Sequence, residues 1–592
     1  MRAPIRACVV ALSAVWLASC GGGGGDGAAT SGSGNSTPTV KVSIGGSVSG
    51  LAGSGLVLND NAGDPLPLSK DGSFIFPTAL DSGSTYAVTV GTQPSNPSQS
   101  CTVTNGNGTA TADIDSVSVT CTTPTFTVGG TVTGLAGTGL VLQNNAGDDL
   151  SVTANGAFTF ATPVSGGGAF AVTVSAQPSG PKQVCRVATG SGAVSSANVT
   201  SVVITCRTVG RFAFAGSNAS QLWAYAINPA TGALTATPGS PFTTTGSTPL
   251  LVSVTPNGKF AYVTDTAGTT VSGYAIDAGT GSLTSVPGSP FTIGMGPSGV
   301  TIDSTGSFAF VASFNGQQVL GFSIDSTTGR LTAVPGSPLH AGFGADTPVL
   351  HPSGKFLYVP NQNDNTVSCY TVDPNSGALA AITGGPVATG AIPQSLVIAP
   401  SGKFAYVDNY GANTVSVYSV DASTGLLAPA QGSPYPTGSA PFSLTLDATG
   451  THLYVPNAGS NNISGYAVDA ASGALTALAG SPYGAGSGPN YLTLDVSGKF
   501  AYVPSFHGSE VYGYSISASD GSLTPLTGSP YASGTSPEAV TFDPSGTFAY
   551  VGNTHTNNIS AYTLDESTGA LVPVAGSPFA SGTYPFAVSV SQ

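Results

Sequence analysis

Charge is scarce in this sequence. Only 7% of its 592 residues are charged, and 13 Lys and Arg stand against 27 Asp and Glu, for a formal net charge of −14. So few cations cannot neutralise a run of phosphates, which excludes nucleic acid as a partner. Helical periodicity is missing throughout, as are phosphate-binding loops, dinucleotide fingerprints, HExxH metal motifs and nucleophile elbows in a strand–turn–helix setting. No stretch beyond the first twenty residues could cross a bilayer as a helix, and that first apolar run is itself too short to do so. Glycine is plentiful, at 82 residues, and 40% of the chain is apolar and recurs in register, which sets it apart from a disordered chain.

That register is a repeat. The segment GKFAYVDNYGANTVSVYSVDASTGLLAPAQGSP, which opens at Gly402, recurs eight times, with its Gly-Ser-Pro close at Gly239, Gly288, Gly336 (Gly384 in a Gly-Gly-Pro variant), Gly432, Gly480, Gly528 and Gly576. A period of 48 residues, with one step of 49, is the length of a propeller blade. In the second repeat the alternation predicts strand a at 251–255, b at 259–264, c at 271–277 and d at 282–286, with Gly-Ser-Pro ending strand d. The array starts on a b strand (211–215) and ends on an a strand (586–591), so its two ends complete one blade. We therefore expect an all-β chain carrying an eight-bladed β-propeller over 209–592; a seven-bladed ring with one repeat outside it is the alternative.

Ahead of the array stand two copies of a module of about 84 residues, at 41–123 and 124–208. Short alternating strands and frequent turn residues predict two small β-sandwiches of roughly Ig-like type. Cys101 and Cys121 fall in one module and Cys185 and Cys206 in the other, predicting one local disulfide each. Cys369 takes a strand c position where other repeats carry Gly, Ala or Val, and is expected to be a buried packing residue.

Residues 1–19 read as a secretory leader, with Arg2 and Arg6 before an apolar core at 7–17. Leu17-Ala18-Ser19-Cys20 resembles the lipobox of bacterial lipoproteins, which implies lipidation of Cys20 and an anchor in the envelope, with Gly21 pointing to the outer membrane. The Gly/Ser-rich run to residue 40 is the tether, and the lipid is the only expected contact with membrane.

In a propeller the b–c and d–a loops share one face. No Lys or Arg falls there, since the propeller's basic residues sit at the start of strand b or, for Arg330, in a c–d turn. The position just before strand a reads Leu250, Ser298, Asp346, Gln394, Phe442, Asn490, Glu538 and Phe586 around the ring. Asp346, Gln394, Asn490 and Glu538, with Asp265, Tyr410 and Tyr491 nearby, form the candidate binding mouth. The Asn and Asp ring of the b–c loops is expected to be turn chemistry in the main. His507 and His555 hold equivalent positions in adjacent blades and are weak metal candidates without a placed carboxylate. No cofactor is required, although a divalent cation has acidic groups to go to.

The runs KFLYVPN from Lys355, KFAYVDN from Lys403 and YVGN from Tyr550 resemble the repeat of the lactonase-like, or YVTN-repeat, β-propellers. The resemblance covers about 209–592. It implies the propeller fold, and enzymes of the family, six-phosphogluconolactonase-like and carboxymuconate-lactonising, use Arg, His and Glu around a seven-bladed mouth to hold anions. This chain departs in repeat number and in lacking basic residues on that face, so the activity does not follow from the fold. The sequence points first to a binding mouth for a neutral or cationic ligand or partner, such as a glycan or peptide. A lactone or ester hydrolase and a structural surface or adhesion module are the alternatives.

Overall fold

A computed structural model describes residues 39–246 and 248–591. The leader, Cys20 and nearly all of the tether lie outside the described residues. All of the described secondary structure is strand, apart from turns and bends. Two compact units divide the chain: the first runs to Thr125 and takes in Ser165–Gly168, and the second holds the rest.

In the first unit two four-stranded sheets face one another across a core of Ile44, Leu56, Leu58, Phe74, Tyr86 and Val119. Alternation in Leu56–Asp60, buried at every other residue, is what sends one side chain inward and the next to solvent. The repeat of this module in the second unit has the same sheet orders around Val128, Leu140, Leu142, Phe158 and Ile204. Both expected disulfides are present, Cys101–Cys121 and Cys185–Cys206. Each joins residues directly opposite on neighbouring antiparallel strands of one sheet, so it staples within a sheet and not between the two.

The array folds into eight five-stranded sheets, the blades. Blade 2 is representative: strand a Pro249–Val254, b Phe260–Asp265, c Thr270–Ile276, d Leu283–Ser285, and a fifth strand, e, Phe291–Thr292. Strands d and e pair with the two ends of the same strand c, Ile276 with Leu283 and Val271 with Phe291. The Gly-Ser-Pro therefore does not end the outer strand, as the sequence had suggested; it bulges it, and the strand resumes. The chemistry explains the bulge: proline has no N–H for the ladder, and the Ser289 hydroxyl takes the place of a backbone carbonyl by accepting from Gly273 N at 3.0 Å. The same serine acceptor recurs at Ser240, Ser337, Ser433, Ser481, Ser529 and Ser577. The fourth blade, with Gly385 there, has no hydroxyl to offer, and Cys369, on its strand c, is buried as expected, with burial pushing its thiol up to about 12.

Blade 1 is built from both ends of the array, Phe212–Ser217 pairing with the C-terminal strand Val588–Val590. Two tyrosine latches repeat between neighbouring blades. A strand b hydroxyl donates to a glycine carbonyl 67 residues on, as Tyr262 to Gly329 and Tyr454 to Gly521, both at 2.7 Å. A strand c hydroxyl donates backwards to the fifth strand of the preceding blade, as Tyr418 to Ala388 at 2.6 Å. Both continue across the junction of the last blade with the first, Tyr550 to Gly232 at 2.9 Å and Tyr225 to Ala580 at 2.8 Å. Around the axis, strand a hydroxyls reach the next strand a: Ser253 to Val300 O at 2.6 Å, Thr493 to Val540 O at 2.8 Å, and Ser589 to Val252 O at 2.5 Å over the junction. The ring is closed with eight blades, as expected.

Candidate binding mouth

The residues before strand a and at the end of strand b meet at one end of the axis. Between blades 4 and 7 they enclose a cavity of about 330 Å³ lined by Asp346, Gln362, Gln394, Ser395, Phe442 and Tyr491, among others. Five of these six stand on strand a or immediately before it, so the ring position singled out in the sequence does line an axial cavity over this arc. Tyr491 occupies a column that is Gly299, Thr347, Ser395, Ser443, Ala539 and Ala587 in six other blades. Its ring therefore has room that those small side chains leave. It contacts Phe442 edge-on at 5.4 Å and Phe586 at 6.4 Å, while Phe442 meets Tyr410 at 6.5 Å. A run of four aromatic rings crosses the mouth.

Three carboxyl groups surround this run. Asp346 accepts from Thr347 N at 2.6 Å and from Gln362 Nε2 at 2.7 Å, yet burial still raises it above the ordinary carboxylate range. Glu538 is 3% exposed and has one oxygen, Oε2, with no hydrogen-bond partner. Burial pushes it up to about 8, opposed by the Asn490 side chain. Asp408 is fully buried; Oδ1 accepts from Ser395 N at 2.5 Å, and Oδ2 is unpartnered. Burial pushes it up to about 7, with the nearby Asp346 charge adding to the rise. Tyr491 is raised by burial and then by Glu538, Asp346 and Asp408, which places all three acids within electrostatic reach of its hydroxyl.

Asp408 is not among the residues that the sequence offered for the mouth. Its signal was nevertheless present: the penultimate residue of strand b is Gly216, Thr264, Ala312, Pro360, Pro456, Pro504 and Gly552 in the other blades. An acid in a column of small or apolar residues, inside a strand buried at every position, marks a side chain kept for something other than the turn.

The remaining candidates are arranged differently. Asp265 is buried and its Oδ1 accepts from both Thr248 N and Thr248 Oγ1, at 3.0 and 3.1 Å, so it fastens its own d–a loop. His507 and His555 both approach Phe506, at 5.2 and 6.4 Å between ring centres. Among the described residues no three His, Cys, Asp or Glu side chains converge to hold a metal. The asparagines Asn361 and Asn409, expected to cap their own turns, instead tie the end of strand b to strand c, each donating to hydroxyls five and seven residues on. On the rim, Met295, Phe343, Ile392 and Tyr410 are exposed, and Ile392 is held at φ 54°, where a β-branched residue is strained.

The model of the family described as "Lactonase, 7-bladed beta-propeller" matches residues 240–440, 300–486 and 487–589. Among solved structures, this chain is similar to a candidate 6-phosphogluconolactonase of Bacteroides uniformis, at 17% identity and a TM-score of 0.45 over 65% of this chain and 100% of that one. It is also similar to the periplasmic gluconolactonase of Pseudomonas aeruginosa, at 21% identity and a TM-score of 0.44 over 55% and 96%. No curated protein matches. Strand order, ring closure and a family match over more than half of the sequence agree: the chain belongs to the lactonase β-propeller family, in which it is an eight-bladed member.

Proposed function

We propose that the propeller binds a neutral or cationic ligand, a glycan or peptide group, in the axial cavity, and that the protein does so as a lipid-anchored component of the bacterial envelope. The observation that carries the reading is the sign of the mouth. Asp346 lines the cavity with aromatic walls, Asp408 is bonded to the lining Ser395 and Glu538 is within electrostatic reach of the lining Tyr491, while the face has no Lys or Arg to meet a phosphate or carboxylate. An anion would find no positive charge there, and the bidentate Arg forks that recognise such groups have no counterpart. Hydroxyl and amide groups suit the site, because Gln362, Gln394 and Ser395 offer donors and acceptors beside rings on which a sugar or side chain can stack.

Lactone or ester hydrolysis is the second reading. Family membership and acids brought to about 7 and 8 favour it, since a general acid–base group works best near ambient pH. On this reading Glu538 or Asp408 would take a proton from water attacking the carbonyl.

A thermal-shift screen of the intact chain against sugars, neutral lactones, short peptides and divalent cations tests both readings. Any ligand specific to the folded state raises the melting temperature by mass action. A shift lost in Asp346→Asn is the expected result, and turnover of a lactone lost in Glu538→Gln would favour the enzyme. No shift with any compound would overturn both readings.

A further inference from the structure

The three mouth carboxyl groups have no cation to answer them. Among the described residues the ion pairs are Lys41 with Asp81, Arg186 with Glu566 and His452 with Asp447, none of them at the mouth. Asp408 and Glu538 each keep a buried oxygen without a partner, as does the hydroxyl of Ser395, which lines the cavity and whose N–H holds Asp408. Leaving a buried acceptor unpaired is unfavourable, because it gives up its hydrogen bonds to water and gains none. A fold that leaves such oxygens on Ser395 in the cavity wall, on Asp408 bonded to it, and on Glu538 within electrostatic reach of the lining Tyr491 has places for hydrogen-bond donors it does not itself supply.

A metal ion suits the site less well: calcium or magnesium needs several oxygens converging at about 2.0–2.6 Å, and among the described residues no three His, Cys, Asp or Glu side chains converge. The acids are spread around the cavity instead, near enough to feel one another through Tyr491 and Asp346. A primary ammonium suits that spread: it carries three donors that point apart, and it is attracted to the faces of rings such as Phe442 and Tyr491. A cavity of about 330 Å³ accepts a small amine or the end of a longer one.

We propose that the axial cavity receives an organic ammonium group, carried by an amino sugar, a polyamine or a lysine side chain, with Asp346, Asp408 and Glu538 as its counter-charge. The inference rests on the mouth being the binding site and narrows the ligand there. The titratable groups within electrostatic reach of these carboxyls are one another, Tyr491 and Tyr584, with His555 packed on Tyr584 at 6.0 Å. Binding a cation among them therefore expels protons to the buffer.

Isothermal titration of the intact protein at pH 7, in two buffers of different ionisation heat, tests this with matched pairs. The pairs are glucosamine against N-acetylglucosamine, and Nα-acetyl-lysine amide against its Nε-acetylated form, with spermidine as the polyamine. One amine is expected to bind at least tenfold tighter than its acetylated counterpart and to release protons; which amine does so identifies the carrier. Asp408→Asn and Glu538→Gln should each weaken that amine at least tenfold and so abolish its preference over the acetylated compound. Equal binding of amine and acetylated form would overturn the ammonium inference while the mouth reading stands. Binding of neither form, together with a flat thermal-shift screen, would remove both. Stoichiometric calcium or zinc binding that is lost in Asp346→Asn would replace the ammonium by a metal.

Discussion

Asp408 shows how a single residue changes meaning once it is placed. In the sequence it is one acid in a run of Tyr, Val and Asn; in the ring it is fully buried and its carboxyl is pushed up to about 7. A carboxyl whose folded pKa exceeds its unfolded value of about 3.9 holds its proton more tightly when folded. Its contribution to stability is then full below about pH 4 and is lost as pH rises through 7. We expect the melting temperature to fall across that window, and Asp408→Asn to flatten the fall, since the new amide has the unpartnered Ser395 hydroxyl beside it. Melting curves between pH 4 and 9 check this, and an unchanged slope in the variant would contradict it. Asp346, Gln394, Asn490 and Glu538 were legible because they break a column of otherwise apolar or small residues. The burial that raises the Asp346 and Glu538 carboxyls was not legible, because it depends on which blades close around the axis.

At the scale of the element, alternation and turn residues were enough to give strands a to d within a residue or two. The fifth strand was hidden because Gly-Ser-Pro looks like a terminator, and only the pairing of both segments with one strand c reveals a bulge. The tyrosines of strands b and c were visible as a repeat, but their acceptors lie a blade away, and only the glycines that accept from strand b carry a sequence signal. Blades 1 and 3 have Phe214 and Phe310 at the strand b position, so the ring fits without its hydroxyl. Tyr550→Phe should therefore remove the bond to Gly232 alone and cost about 1–2 kcal/mol. If the junction of the last blade with the first is an ordinary blade interface, Tyr454→Phe should cost the same within error. Thermal denaturation of the two variants compares them, and a negligible effect at Tyr550 would mean that the junction is not closed as described.

For the whole molecule, the repeat count and the complementary ends of the array fix eight blades, one more than the family's description. Closing the ring with an extra blade keeps the fold and changes the mouth, whose wall is assembled from one loop position per blade. The second module adds a fixed neighbour: its Arg186 pairs with Glu566 of the last blade, Nε to Oε2 at 2.6 Å, and Lys182 donates to Pro229 O at 2.8 Å. Both contacts lie on the c–d turns, away from the mouth, which leaves that end of the axis free of them. The central claim is that this mouth, acidic and aromatic, is where the ligand sits and that it refuses anions. The most direct measurement is a crystal structure of the protein soaked with the tightest compound from the thermal-shift screen. Ligand density between Asp346, Gln394 and Tyr491 is the expected result; an anionic sugar phosphate in that cavity, or a ligand bound elsewhere with the cavity vacant, would contradict the account.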